Sequence, residues 1–341
     1  MLNAVYRLVE PRRFEVEFND IELDDEHVIV RPTHLSICNA DQRYYQGTRP
    51  AEVLAKKLPM ALIHEGIGRV VYDGRGEFRP GQTVVMIPNT PVEHDDIIAE
   101  NYLRSSKFRA SGFDGFMQDN VAMRRDRIIA LPEGTKPEVA AFTEFTSVSY
   151  HAVTRFLNFS HSRRNTIGIW GDGNLAFTVA IILRLRLPEA KLYIFGKHMD
   201  KLENFSFAAE TFHINRIPDD IAVDHAFECV GSSGAPRAIN QIIDHIAPEG
   251  AISILGVTEE LAPINTRMIL EKGLHVFGSS RSGREDFEAT VKMYEEHPEV
   301  IRYLDCLIDN VIDVREMNDF IEAFDSDIRK AGGKTIMLWN K

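Results

Sequence analysis

The chain has 341 residues, room for two domains at about 100–200 residues each. Hydrophobic residues make up 44% and charged residues 26%, ordinary proportions that argue against a disordered or fibrous chain. With 39 basic against 51 acidic residues the net charge is −12, which argues against nucleic acid or an anionic membrane surface as the main partner and requires a local cluster of cations for any anionic ligand.

The three cysteines, Cys38, Cys229 and Cys306, are few, odd in number and far apart, which suits a reducing compartment better than a disulfide framework. The first seven residues lack the charged-then-apolar pattern of a signal peptide. The most apolar run, residues 175–187, is broken by Arg184 and Arg186 and is too short to span a bilayer. A cytoplasmic protein with no membrane partner is expected.

In chain order, residues 1–145 read as irregular β structure. Residues 28–32 form a strand closed by Pro32, residues 67–72 another, and turns at 73–76 and 79–82 lead into a strand over 83–88. Short strands between glycine- and proline-rich loops indicate a barrel-like domain. The character changes near residue 138. Residues 138–157 carry apolar side chains at helix spacing. Strands at 166–170, 191–195, 225–230 and 251–255 then alternate with helices at 175–187 and 200–209, the pattern of a parallel sheet covered on both faces. The tail after about residue 285 is helix-rich and ends in the apolar run 335–339.

Gly171, Asp172, Gly173, Asn174, Leu175 and Ala176 fit G-x-G-x-x-A directly after a predicted strand and at the start of a helix, the context that makes this motif a dinucleotide loop rather than an ordinary glycine turn. Gly171 permits the tight turn, Gly173 lets the backbone approach a pyrophosphate, and Ala176 lets helix and strand pack closely. The helix N-terminus offers unpaired N–H groups to the phosphates. An NAD-selective site usually carries an acidic residue at the end of the next strand. Here that position is Gly196, followed by the cation Lys197 and by His198, which favours NADP(H). Lys197 as a plain solvated charge is the competing reading.

Cys38 lies on a turn after a strand, His64 and Glu65 stand side by side before a glycine, and Glu144 lies near the change of character. Zinc accepts thiolate, imidazole and carboxylate ligands. Taken singly, Cys38 also fits a small core residue and His64 a satisfied buried histidine.

Together these segments resemble the zinc-dependent medium-chain dehydrogenase/reductase family over the whole chain. Its G-I-C-G-S-D stretch corresponds to residues 36–41, its G-H-E-x-x-G to residues 63–68, its glycine- and phenylalanine-containing strand to residues 112–117 and, more loosely, its E-P-L-S-V-A segment to residues 144–149. Within the family, residues 38–47, 101–103, 111–117, 224–229 and 278–283 resemble the ribulose-5-phosphate reductases. The resemblance implies an α/β chain with a barrel-like (GroES-like) catalytic domain at 1–149 and 285–341 and a Rossmann doubly wound parallel sheet at 150–284. It implies a catalytic zinc held by Cys38, His64, Glu65 and Glu144. The family's structural zinc needs a four-cysteine lobe, and residues 86–120 contain no cysteine, so only one zinc is expected. It further implies NADPH-dependent reduction of D-ribulose 5-phosphate to D-ribitol 5-phosphate, a step toward CDP-ribitol and wall teichoic acid. A homodimer and a cytidylyltransferase as a possible partner are expected on the same ground. The family's proton relay starts from a Ser or Thr two residues after the zinc cysteine. Ala40 stands there, and Tyr44 is the candidate to orient substrate or join a proton path through water.

Two other readings stand beside this one: a zinc polyol or alcohol dehydrogenase acting on an unphosphorylated substrate, and a non-catalytic dinucleotide-binding partner protein. The substrate phosphate calls for a basic cluster, with Arg43 and Arg49 or Arg104, Lys107 and Arg109 as candidates and Arg281 in reserve.

Overall fold

The computed structural model describes all of residues 1–341 and divides them into two compact units, the first formed by Met1–Ser147 and Ser282–Lys341, the second by Val148–Arg281. The first unit is built on a mostly antiparallel sheet. Its strands run in the order Ile128–Ala130, Thr83–Met86, Glu65–Asp73, His27–Ser36, Lys334–Trp339 and Ile308–Val314, with Val121–Arg124 pairing beside His27–Ser36. A smaller sheet places Leu2–Glu10 between Arg13–Asp20 and Met60–Ala61. Val28, Val30, Leu35, Met86 and Val121 point inward from these strands and are fully buried with Phe116, Phe320 and Phe324. Phe320 stacks on Trp339 at 5.3 Å, and Phe324 stacks on Tyr45 at 4.6 Å. Each such ring removes about 150–250 Å² from water, so these contacts dominate the cohesion of the unit. Strand Lys334–Trp339 therefore sits in mid-sheet, and its first residue reaches the donor residues described below.

The second unit is a six-stranded parallel sheet. In sequence its strands are Thr166–Trp170, Lys191–Gly196, Glu210–His213, His225–Glu228, Ala251–Ile254 and His275–Gly278. In space they lie third, second, first, fourth, fifth, sixth. That is the doubly wound order, whose ligand crevice lies beyond the carboxyl end of the first strand. Trp170 on the first strand stacks on Phe195 at 3.8 Å, with Ile239, Ile242 and Ile252 packed in the same core.

Two expectations about elements are corrected. The helix expected over 138–157 is two helices, Pro137–Ala140 and Thr143–Phe159. Between them Phe142 bonds back to Val139, and the Thr143 hydroxyl donates to Ala140 O. The helix expected over 200–209 ends early, as Met199–Leu202 plus a 3-10 turn Glu203–Phe205, because Ala209 N already bonds to Leu192 O to enter strand Glu210–His213. The tail is helix-rich, as expected, and adds a strand, Ile308–Val314, alternating half-buried and exposed positions. No helix is long and apolar enough to cross a membrane.

Candidate active site

Strand His27–Ser36 delivers the chain to Cys38, which caps helix Asn39–Tyr45. The buried carboxylate of Asp41 fastens this turn to the second donor segment. One oxygen accepts from Cys38 N at 3.2 Å, and the other accepts from Ile63 N at 3.0 Å and lies 3.4 Å from His64 Nδ1. Ile63 precedes His64 with φ +70°, a left-handed conformation that costs a β-branched residue roughly 1–2 kcal/mol. It is held there by the Asp41 bond and by Phe116 N, which donates to Ile63 O at 2.7 Å. This strain aims His64 and Glu65 inward. One donor atom from each of Cys38, His64 and Glu65 lies within 4.8 Å of the others.

The electrostatics of this cluster favour a cation. Burial opposes charge on His64, yet the neighbouring Asp41 and Cys38 outweigh it and hold the imidazole well above the ordinary histidine range. The field that holds a proton there would also draw in a dication. Glu144 opens helix Thr143–Phe159 and is buried. Burial, with the charges of Glu65 and Asp41, lifts its carboxyl well above the usual range, against the pull of His64 and Lys334. Glu144 is thus within electrostatic reach but outside the set of three close donor atoms. With all groups ionised, the thiolate and the carboxylates of Asp41, Glu65 and Glu144 face the His64 imidazolium and a buried ammonium. The residues present fit a divalent, thiophilic ion such as zinc.

That ammonium belongs to Lys334, which sequence reasoning missed. It is buried, lies 2.7 Å from Glu65 Oε2, donates to Glu65 Oε1 at 2.9 Å and sits 4.8 Å from the centre of the Phe145 ring. A lysine starting an apolar strand reads as a surface charge. Only the pairing of that strand with His27–Ser36 places it beside Glu65. Tyr44, on the helix that Cys38 caps, is buried with the Arg49 guanidinium 4.8 Å from its ring centre.

In the second unit, Gly171 has φ +135° and its N–H bonds to Phe195 O, making the tight turn after the first strand. Gly173 caps helix Asn174–Arg186 with open space where a side chain would be, and Ala176 is fully buried. Asn174 and Leu175 begin the helix, half-buried. Gly196 has a different reason from the one expected. A side chain there would meet Asp172 Cβ and Leu202 at 2.7 Å, so its space is filled by Asp172. The Asp172 carboxylate accepts from Lys197 N and His198 N, both at 2.7 Å, and pairs with His198 Nδ1 at 3.0 Å, fixing the turn that exposes Lys197.

Of the basic residues, Arg109 is committed to the fold: its guanidinium donates to Asp114 O and Ala122 O, and burial lowers its pKa to about 10. Arg104 and Lys107 are exposed, and Arg43 and Arg49 are half-buried.

A β-rich unit with clustered cysteine, histidine and glutamate donors and a doubly wound dinucleotide unit define a zinc-type dehydrogenase. Residues 24–133 match the alcohol dehydrogenase GroES-like domain, and residues 209–296 match the zinc-binding dehydrogenase domain. The chain is 52% identical over 339 residues to the ribulose-5-phosphate reductase of Bacillus spizizenii and equally to ribulose-5-phosphate reductase 1 of Staphylococcus aureus, covering 99% of each chain in both cases. Among solved structures, S. aureus TarJ in complex with NADPH superposes with a TM-score of 0.90 at 47% identity over 100% of both chains. The chain therefore belongs to the zinc-dependent medium-chain dehydrogenase/reductase family, in its ribulose-5-phosphate reductase branch.

Proposed function

We propose that this chain is an NADPH-dependent reductase of D-ribulose 5-phosphate that forms D-ribitol 5-phosphate. The observation that carries this is the full-length likeness to the ribulose-5-phosphate reductases joined to the donor cluster of Cys38, His64 and Glu65. In the reaction the C2 ketone gains a hydride and a proton and becomes the secondary alcohol. Bound zinc supplies Lewis-acid polarisation of the ketone, and NADPH supplies the hydride. Cys38 and His64 would hold zinc together with Glu65 and Glu144, of which one carboxylate would give way to substrate. Lys334 supports this assignment because its ammonium offers Glu65 a charged partner within the protein. Tyr44 orients the sugar or carries the proton path that Ala40 cannot start. Gly171, Asp172, Gly173, Asn174, Leu175 and Ala176 form the pyrophosphate loop. Gly196 and Lys197 border the adenosine ribose, and the cation of Lys197 selects the 2′-phosphate.

One zinc per chain and a homodimer complete the reading. Strand His275–Gly278 is the last of its sheet and carries the exposed Val276, an edge that a second copy can extend. The product is the substrate expected for a cytidylyltransferase making CDP-ribitol. The test is to compare NADPH and NADH oxidation with D-ribulose 5-phosphate and with D-ribulose, identifying the product. Preference for NADPH and for the phosphate ester supports the reading. Equal rates on the free sugar would instead favour a polyol dehydrogenase.

A further inference from the structure

The first unit holds a half-buried lysine whose ammonium bonds to a hydroxyl. Its other buried or half-buried cations mostly have acidic partners: Arg7 with Asp114, Arg125 with Asp73, Arg127 with Glu100, Lys334 with Glu65. Lys57, the half-buried last residue of helix Ala51–Lys57, differs. Its ammonium donates to the neutral Ser111 Oγ at 2.8 Å and lies 5.9 Å from the centre of the Tyr44 ring, whose other neighbour is the Arg49 guanidinium at 4.8 Å. Close by in sequence, Lys107 rests 5.7 Å from the Phe113 ring. In a chain of net charge −12, a lysine facing a hydroxyl and an aromatic ring instead of a carboxylate is arranged for an anion from outside.

These groups adjoin the donor cluster through the same two segments. The turn carrying Ser111 is fastened to the strand that runs into His64: Gly112 N lies 3.1 Å from Met60 Sδ, Gly115 N bonds to Ala61 O at 2.8 Å, and Phe116 N bonds to Ile63 O. Phe108 lies 5.4 Å from the His64 ring, centre to centre. Tyr44 stands six residues after Cys38 on the helix Cys38 caps, about 9 Å at the helical rise, a span suited to an extended five-carbon phosphate.

We infer that Lys57 and Ser111, beside the Tyr44 ring, form the seat of the substrate's phosphate dianion; the inference rests on the proposed reduction of a sugar phosphate. The ammonium and the hydroxyl supply donors to two phosphate oxygens. Ser111 Oγ accepts from Lys57 and keeps its own proton to give to the anion.

The test is the selectivity ratio, kcat/KM for D-ribulose 5-phosphate over kcat/KM for D-ribulose, in the unmodified enzyme, K57A, K57R and S111A, with the exposed neighbour K56A as control. Calorimetric binding of D-ribitol 5-phosphate to the NADP+ complex is the second readout. K57A should lower the ratio roughly ten- to a hundredfold and weaken product binding in parallel, S111A should lower it less, K57R should recover most of it, and K56A should match the unmodified enzyme. Should K57A fail to fold, S111A and K57R carry the test. Unmodified enzyme without preference for the phosphate ester overturns the proposed function itself. A preference that survives both K57A and S111A within twofold, with unchanged product binding, overturns only the seat.

Discussion

The donor cluster of the first unit and the glycine loop of the second are built in opposite ways. The cluster collects charged side chains from residues 38, 41, 64, 65, 144 and 334, buries them and balances them against one another. The loop uses one continuous stretch, residues 171–176, and presents backbone N–H groups at a helix end with hardly any charge of its own. The first arrangement makes strong chemistry and is costly to disturb, since a buried ion left without its partner is penalised by several kcal/mol. The second is cheap and tolerant, and would hold an anion mainly through shape and backbone N–H groups.

The comparison breaks most sharply at the metal donors. Cys38→Ser or His64→Ala should lose zinc and lower turnover by at least about a thousandfold, a magnitude in line with loss of a principal electrostatic stabiliser. NADPH binding, followed by its fluorescence, should persist. Stoichiometric zinc in both variants would remove these residues from the metal site.

Lys334→Met comes next. It leaves Glu65 buried without its ammonium and should cost about 3–5 kcal/mol in metal-stripped protein. Zinc should recover part of the loss. The double variant with Glu65→Gln should melt closer to the unmodified protein, and equal melting temperatures for Lys334→Met with and without Glu65→Gln would show that the pair is not coupled.

In the second unit the effects are smaller. Lys197→Ala should raise KM for NADPH roughly three- to tenfold and leave NADH unaffected, as expected for one exposed cation on a phosphate. Gly196→Asp is a poor probe of the same point, because its side chain would collide with Asp172 and Leu202. An unchanged NADPH:NADH preference in Lys197→Ala would move the selectivity elsewhere.

A further effect, on stability and not on binding, is pH dependence. His225 is fully buried in the second unit, and burial, with the neighbouring His161, lowers its pKa to about 4. The unfolded chain takes up this proton near pH 6.5 and the folded chain only near 4, so stability falls as the pH drops through that window. The melting temperature should be lower at pH 5 than at pH 7.5, with a shallower slope in His225→Gln. Equal slopes would assign the acid sensitivity to other groups.

The same contrast governs what could be read in advance. The loop, being contiguous, was legible from residues 171–176 in their strand-to-helix context. Cys38, His64 and Glu65 were legible because each sits in a short local motif. Lys334 was not, since nothing near it in the chain speaks of Glu65 and only sheet pairing brings them together. Asp172 was read as part of the loop, while its hold on the Lys197–His198 turn depends on strand neighbours. Strands Glu210–His213 and His275–Gly278 escaped notice because edge strands stay half-exposed and lack an apolar run. Nothing near Lys57 in the chain points to Ser111, which only the fold sets against it.

The most direct test of the account is the initial rate of NADPH oxidation with D-ribulose 5-phosphate by one preparation, before chelation, after it, and after zinc is restored. Metal content and NADPH binding are measured at each stage. The account predicts that turnover to D-ribitol 5-phosphate disappears with the metal and returns with zinc while NADPH binding stays constant. Full turnover by enzyme shown to be metal-free would contradict it.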